Sequence, residues 1–252
     1  MRSSMMKFRR SAATAINCCL RPTGFKLVRA WSPGGYIDAK TTVQAAQARG
    51  QSVCEYVEAM WNQPGATGRV IEEMKKAGCL APCKRVLEIG PGTGRYLELV
   101  LQTAGPEQYD IYETAEDWAT WLSTTYAPLV WRQPADGHTL RNTPSESCAL
   151  VHAHGVFVYL KIIDAFMYFA EMIRVCEPQG FVVFDFFPAE VFGEDTIRRW
   201  FDFPDRYAAV LPGEHVKSFF VNRGFDPVHE FHHVHGPGHS NYFIFRKGHS
   251  LL

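Results

Sequence analysis

Short apolar runs alternate with amphipathic stretches through the second two thirds of the chain. The runs cover residues 86–89, 109–112, 129–131, 149–153 and 181–186. This alternation predicts repeated βα units, and therefore an α/β fold with a mostly parallel sheet and helices on both faces. Two more runs, at 225–234 and 241–246, flank the short turn Gly236-Pro-Gly238 and predict an antiparallel hairpin at the end of the sheet.

The stretch before the first strand is predicted to be helical. Three helices are indicated by side chains that can cap a helix N-terminus, namely Asp38, Ser52 and Thr67. Glu55 lies three residues after Ser52 and completes a capping box. The chain is therefore predicted to have a basic arm at 1–30, a helical cap at 31–80 and an α/β domain at 81–252.

A glycine-rich turn follows the first strand, in the order Gly90-Pro-Gly92-Thr-Gly94. Ligands of open α/β sheets bind outside the carboxyl ends of strands, and glycine lets the backbone approach them closely. The spacing is G-x-G-x-G, and Glu88 stands two residues before the first glycine, where a carboxylate repels phosphate and attracts an ammonium group. The sequence has no G-x-x-x-x-G-K-[ST] phosphate loop. A dinucleotide or nucleoside triphosphate is therefore disfavoured.

Acidic residues also follow the next two strands. Glu113 ends the second strand, about 20 residues past the glycines, where such folds bind ribose hydroxyls. Asp136-Gly137 follows the third strand, where a short acceptor can reach an adenine amino group.

In this order the residues resemble the class I S-adenosylmethionine-dependent methyltransferases, over roughly 85–246. The resemblance implies a Rossmann-like sheet whose terminal hairpin is the family's reversed last strand. It also implies that Glu88 and the three glycines hold the methionine part of S-adenosylmethionine, Glu113 the ribose, and Asp136 with Gly137 the adenine. Tyr36 and Lys40 are expected to close over the cofactor's carboxylate, with solvated surface roles as the alternative.

Methyl transfer depends more on positioning than on base chemistry. Orientation contributes ~7–11 kcal/mol, whereas a general base contributes typically ~10²–10⁴-fold and only for acceptors that lose a proton. His152 and His154 share one face of the predicted fourth strand, and His154, nearer its carboxyl end, is the candidate base. Phe157 and Tyr159 are expected to shape the pocket. The alternative is that both histidines are structural.

Asp185 ends the fifth strand at the same edge of the sheet. It is expected to orient a histidine, or to hold a divalent cation together with His154, because oxygen and imidazole ligands suit such ions. Capping the next loop is an equal alternative, and no metal ligand is assigned.

The segment His229-Glu-Phe-His-His233 matches H-E-x-x-H, a zinc-protease motif that requires a helix. Asp226-Pro precedes it and Gly236-Pro-Gly238 follows, so a strand is predicted instead. Positions four apart on a strand are separated by roughly 13 Å, too far for one metal ion.

The amino-acid composition indicates which kinds of binding partner and which cellular compartment to expect. Lys+Arg and Asp+Glu are both 26, so no nucleic-acid footprint is indicated and a small acceptor is favoured. Seven scattered cysteines are typical of a reducing cytoplasm. The basic, acid-free N-terminal arm is consistent with membrane-surface contact, a transit peptide or a passive segment.

The segment at 36–61, followed by the glycine motif, also resembles bacterial methyltransferases of sugars and glycolipids. O-methylation of a sugar or glycolipid hydroxyl is therefore the expected activity. The alternatives are methylation of a small natural product or lipid at oxygen, nitrogen or carbon, and a scaffold that binds cofactor without turnover. The sequence does not indicate an oligomeric state.

Overall fold

A single sheet organises the part of the chain described by the computed structural model, residues 37–203 and 208–248. Eight strands are found there: β1 (Arg85–Ile89), β2 (Gln108–Tyr112), β3 (Val130–Arg132), β4 (Cys148–Ala153), β5 (Cys176–Pro188), β6 (Val210–Leu211), β7 (Phe225–His235) and β8 (Gly238–Lys247). Their order is β3-β2-β1-β4-β5-β8-β7, with β6 paired to β5.

Helices separate most of these strands. In chain order they are α1 (Ala39–Gln47), α2 (Val53–Trp61), α3 (Ala66–Lys76), α4 (Arg95–Ala104), α5 (Glu116–Thr125), α6 (Ile162–Val175), a 3₁₀ turn (Ala189–Val191), α7 (Glu194–Asp202) and α8 (Gly213–Val221). None of the helices among the described residues is both long and apolar enough to span a bilayer.

The direction of the strands confirms the predicted fold class. The pairs from β3 through β5 are parallel, whereas β8 runs antiparallel to both β5 and β7. The strand order reverses between β1 and β4, because the chain first builds outward through β2 and β3 and then returns to the other side of β1. Ligands of such sheets bind at this switch point, outside the carboxyl ends of the strands.

The two faces of the sheet differ in chemistry. One face is an apolar layer that includes Val151, Ala153 and Phe184, packed against α6 and α8. On the other face, under α3 and α4, apolar side chains are interspersed with buried polar ones, including His152 and His154. The predicted alternation along the fourth strand is therefore confirmed.

The N-terminal helices begin largely as predicted. Asp38 caps α1 by accepting the Thr41 N–H, and the Ser52–Glu55 capping box is present at α2. Thr67 does not cap α3, which begins one residue earlier after Gly65. Its hydroxyl instead donates to Glu58 on α2 at 2.6 Å, so tertiary contact takes the place of the expected cap.

Contacts join α1 to the helix that follows β2. The Trp118 indole donates to the Ile37 carbonyl at 2.6 Å, and the Ala39 N–H donates to Asp117 at 2.8 Å. The division into arm, cap and catalytic domain stays a prediction, and the arm lies outside the described residues.

Candidate active site

The glycine turn at the end of β1 requires glycine for two different reasons. Gly90, Gly92 and Gly94 have φ values of +63°, +54° and +81°, in the left-handed region that disfavours other residues. A Cβ at Gly90 would lie 2.8 Å from Val156, and one at Gly94 would lie 2.5 Å from Leu122. A Cβ at Gly92 meets nothing within 4 Å. Packing therefore constrains the outer glycines, while the middle one borders open space.

Glu113 joins the end of β2 to this turn. Its Oε2 accepts the Gly92 N–H at 2.7 Å, and its Oε1 accepts the Ala115 N–H at 2.8 Å. Burial raises the pKa of Glu113 above its ordinary value, against the opposing effect of these N–H donors. A carboxylate has about four lone-pair sites, so each oxygen retains capacity for a hydroxyl donor.

Asp136 organises the loop after β3. Its Oδ1 accepts the N–H groups of His138 and Thr139, and its Oδ2 accepts from the Thr139 hydroxyl and from Arg141. Burial alone would raise the pKa of Asp136, but these hydrogen bonds outweigh it and lower the pKa. The adjacent Gly137 has a φ of +87° and no atom within 4 Å of a built Cβ. The adenine contact predicted for this pair stays a prediction.

Glu88 is enclosed on the polar face of the sheet, with only 1% of its surface exposed. Its Oε2 accepts a hydrogen bond from the Tyr109 hydroxyl at 2.6 Å. Burial raises the pKa of Glu88 to about 8 despite this bond. The predicted contact with the cofactor's ammonium group stays untested, and the described partners of Glu88 are protein side chains.

A chain of hydrogen bonds leads from Glu88 to the histidines of β4. The Tyr109 hydroxyl lies 2.8 Å from His152 Nε2, and His152 Nδ1 lies 2.9 Å from His154 Nε2. Beyond them, His154 Nδ1 lies 3.1 Å from the Tyr242 hydroxyl. Both ring nitrogens of both histidines therefore have partners inside the protein.

The imidazole of His154 also stacks on an aromatic ring, in addition to its two hydrogen bonds. Its ring stacks on Tyr96 of α4, with 3.7 Å between the centroids. Burial, and to a lesser extent the neighbouring His152, hold its pKa well below the usual value. The imidazole is thus neutral at pH 7.

Asp185 secures the loop that leaves β4. Its Oδ1 accepts the Gly155 N–H at 2.6 Å and its Oδ2 accepts the Ser240 hydroxyl at 2.7 Å. Among the described residues it makes no hydrogen bond with His154. These contacts hold the loop after β4, whereas the capping alternative concerned the loop that follows Asp185 itself. That alternative and a cation role shared with His154 stay predictions.

The remaining predicted residues are dispersed. Phe157 is fully buried against Phe169 and Phe184 on the apolar face of the sheet, and its expected role in shaping the pocket stays a prediction. Tyr159 is half-buried, with its ring centroid 6.2 Å from that of His235. Lys40 is exposed on α1, and Tyr36 lies outside the described residues.

Sequence reasoning missed the residue that links the turn to the N-terminal helices. Arg95, directly after Gly94, bonds Glu58 at 3.1 Å and the Thr67 hydroxyl at 2.9 Å. A basic residue next to the glycine motif was the available signal, but its partners lie 37 and 28 residues away along the chain.

The H-E-x-x-H segment forms part of strand β7, which confirms that it is not a zinc-protease helix. His229 instead bonds Glu73 of α3 at 2.8 Å. His232 bonds the Asn241 side chain across the hairpin.

No family model matches the sequence, and no curated protein is similar to it at a significant level. Solved structures do match in fold. One is magnesium protoporphyrin IX methyltransferase from Synechocystis PCC 6803 with bound SAH, at a TM-score of 0.58, 13% identity, and coverage of 93% of this chain and 99% of that one.

Two further structures show the same fold. The N-methyltransferase NodS from Bradyrhizobium japonicum WM9 aligns at a TM-score of 0.55 and 16% identity, covering 74% of this chain and 98% of that one. A SAM dependent methyltransferase from Aquifex aeolicus aligns at a TM-score of 0.53 and 12% identity, covering 77% and 97%. The chain therefore has the class I methyltransferase fold, and at these identities the likeness extends to the fold alone.

Proposed function

We propose that the protein is an S-adenosylmethionine-dependent methyltransferase acting on a small-molecule acceptor. One observation carries the proposal. At the switch point of the sheet, the Gly92 backbone borders open space and is bonded to the carboxylate of Glu113 at the end of the adjacent strand. This geometry offers backbone to one part of a ligand and a fixed acceptor to its hydroxyls.

The glycine spacing and the reversed strand support the choice of cofactor. A dinucleotide would present a pyrophosphate to this turn, whose G-x-G-x-G spacing differs from the G-x-G-x-x-G that brings a pyrophosphate to a helix N-terminus. The antiparallel β8, inserted between β5 and β7, fits the reversed last strand that the resemblance to class I methyltransferases implies. Within this proposal, Gly90, Gly92 and Gly94 hold the methionine part.

For the acceptor, we propose a sugar or glycolipid hydroxyl. The formal net charge of zero favours a small or uncharged molecule over a polyanion. One matched structure is a magnesium protoporphyrin IX methyltransferase and another is an N-methyltransferase, so other small natural products or lipids are the alternative. If the acceptor is a glycolipid, we also propose that the basic N-terminal arm contacts the anionic membrane surface that carries it.

A hydroxyl acceptor must lose a proton, and His154 is the candidate base from the sequence. Burial lowers the pKa of His154 and so weakens it as a base, and it would also have to exchange a bond to His152 or Tyr242 for the acceptor. Orientation of the acceptor behind the methyl group is therefore the larger part of catalysis.

The test is transfer of labelled methyl from S-adenosylmethionine to fractions of a cell extract. We expect label in a small-molecule or glycolipid fraction, and no label with heat-denatured protein. Binding of the cofactor without transfer to any fraction would favour the non-catalytic scaffold. His154→Ala is expected to keep cofactor binding and to reduce transfer at least tenfold; unchanged transfer would remove His154 from the mechanism.

A further inference from the structure

Three side chains on the polar face of the sheet converge as metal ligands would. They are Glu88 on β1, His152 on β4 and His154 directly after β4, and one ligand atom from each lies within 4.8 Å of the other two. All three are buried, with exposures of 1%, 0% and 9%. Buried polar side chains need hydrogen-bond partners, and buried charges are paired or coordinate metal ions.

The convergence follows from strand geometry. The histidines are two residues apart, with His154 directly after the last residue of β4, so the alternation of the strand carries both side chains to the same face. Glu88 is the register neighbour of His152 in the parallel pair of β1 and β4. A His-x-His pair with a carboxylate beside it on the next strand thus presents three donors from a rigid part of the sheet.

The distances suit a single ion. His152 Nδ1 is 2.9 Å from His154 Nε2 and 4.0 Å from Glu88 Oε1. Metal bonds to nitrogen and carboxylate oxygen are ~2.0–2.2 Å, so two donors on one ion lie roughly 3–4.4 Å apart. The ligand atoms of Glu88 and His154 also lie within 4.8 Å of each other, so all three donors can approach one ion.

The groups behind the donors are arranged as an outer shell. His152 Nε2 bonds the Tyr109 hydroxyl, which in turn donates to the second oxygen of Glu88. His154 Nδ1 bonds the Tyr242 hydroxyl. When each outer nitrogen carries the proton, both inner lone pairs are free to bind the same cation.

We propose that Glu88, His152 and His154 bind one divalent transition-metal ion that joins β1 to β4 beneath the glycine turn. Two imidazoles and one carboxylate favour ions such as Zn²⁺, Co²⁺ or Fe²⁺ over Mg²⁺ and Ca²⁺, which prefer oxygen ligands. The site does not rest on the proposed methyl transfer. In the metal-bound protein His154 is a ligand through Nε2 rather than a base.

The experiment uses the untagged full-length chain, stripped with a chelator and reloaded separately with Zn²⁺, Co²⁺ and, without oxygen, Fe²⁺. Metal per chain is measured by mass spectrometry after desalting, together with the visible spectrum of the Co²⁺ form and the Tm. We expect one tightly held ion per chain and a higher Tm on loading, because binding to the folded state alone stabilises it.

Variants locate the site. Glu88→Gln keeps the shape of the side chain and an acceptor for Tyr109, and is expected to reduce metal content at least tenfold, as is His154→Asn. The control is the double variant His232→Gln and His239→Gln, whose rings lie 4.7 Å apart on the hairpin; it should bind as wild type does.

Two results would overturn the proposal. The first is wild-type protein that retains none of the three ions and shows no change in Tm; a proton then links the two histidines. The second is metal that survives Glu88→Gln undiminished or is lost in the hairpin control. If His154→Asn fails to fold, wild-type stoichiometry and Glu88→Gln still decide the outcome.

Discussion

Replacing Gly92 by alanine separates a binding role from a folding role at the glycine turn. Its φ of +54° makes alanine unfavourable by ~1–2 kcal/mol, and the smaller entropy of the unfolded alanine chain offsets ~0.4–1 kcal/mol. The net loss in the free energy of unfolding is therefore between zero and ~1.6 kcal/mol, since the new Cβ meets no protein atom within 4 Å.

The same substitution at Gly105 is a matched control. Gly105 follows α4 with a φ of +52°, and a Cβ there also meets nothing within 4 Å. We expect both variants to unfold in urea within ~0.5 kcal/mol of each other. Only Gly92→Ala should weaken S-adenosylmethionine binding, by at least tenfold or ~1.4 kcal/mol, because its methyl group enters the space assigned to the ligand.

Isothermal titration calorimetry of the three proteins provides the comparison. Gly92→Ala that binds within twofold of wild type would refute the placement of the cofactor against this turn. Equal weakening in Gly105→Ala would show that the loss comes from backbone strain rather than from occupied space.

Two further substitutions test the supports of the site. Glu58→Gln removes the charged partner of Arg95 and should lower the free energy of unfolding by ~1–2 kcal/mol. Burial alone would raise the pKa of Glu58, but the hydrogen bonds it accepts outweigh this and lower the pKa. The wild-type advantage is therefore present above pH 4.5, the ordinary value, and disappears as pH falls through the lowered pKa; an advantage unchanged at pH 3 would contradict this. Asp185→Ala leaves the Gly155 N–H and the Ser240 hydroxyl without their acceptor, so urea denaturation should show a loss of ~2–4 kcal/mol. Asp185→Asn, which keeps one acceptor oxygen, should lose less, and equal losses would remove these bonds from the explanation.

Local patterns predicted the elements well because their causes are local. The capping box of Ser52 and Glu55 spans a single helical turn, so neighbouring residues decide it. The alternation along β4 placed His152 and His154 on one face, since strand side chains alternate by geometry alone. Flanking Asp226-Pro and the Gly236 turn were enough to exclude a helix at the H-E-x-x-H segment.

The contacts that define the site depend on strand order, which the sequence pattern leaves open. Glu88 meets both Tyr109 and His152 only because β1 lies between β2 and β4. The hydrogen bonds of Asp136 within its own loop were not predicted, although short polar side chains often bond nearby backbone, and its adenine contact stays a prediction. The packing of Phe157 on the apolar face was not predicted either, because its position along the chain does not reveal which side of the sheet receives its ring.

Titration of the full-length protein with S-adenosylmethionine in a calorimeter tests the central claim most directly. If the protein binds S-adenosylmethionine as proposed, we expect saturable one-to-one binding in the micromolar range and a rise in Tm with ligand concentration. The absence of both binding heat and any change in Tm at millimolar ligand would contradict the proposed binding.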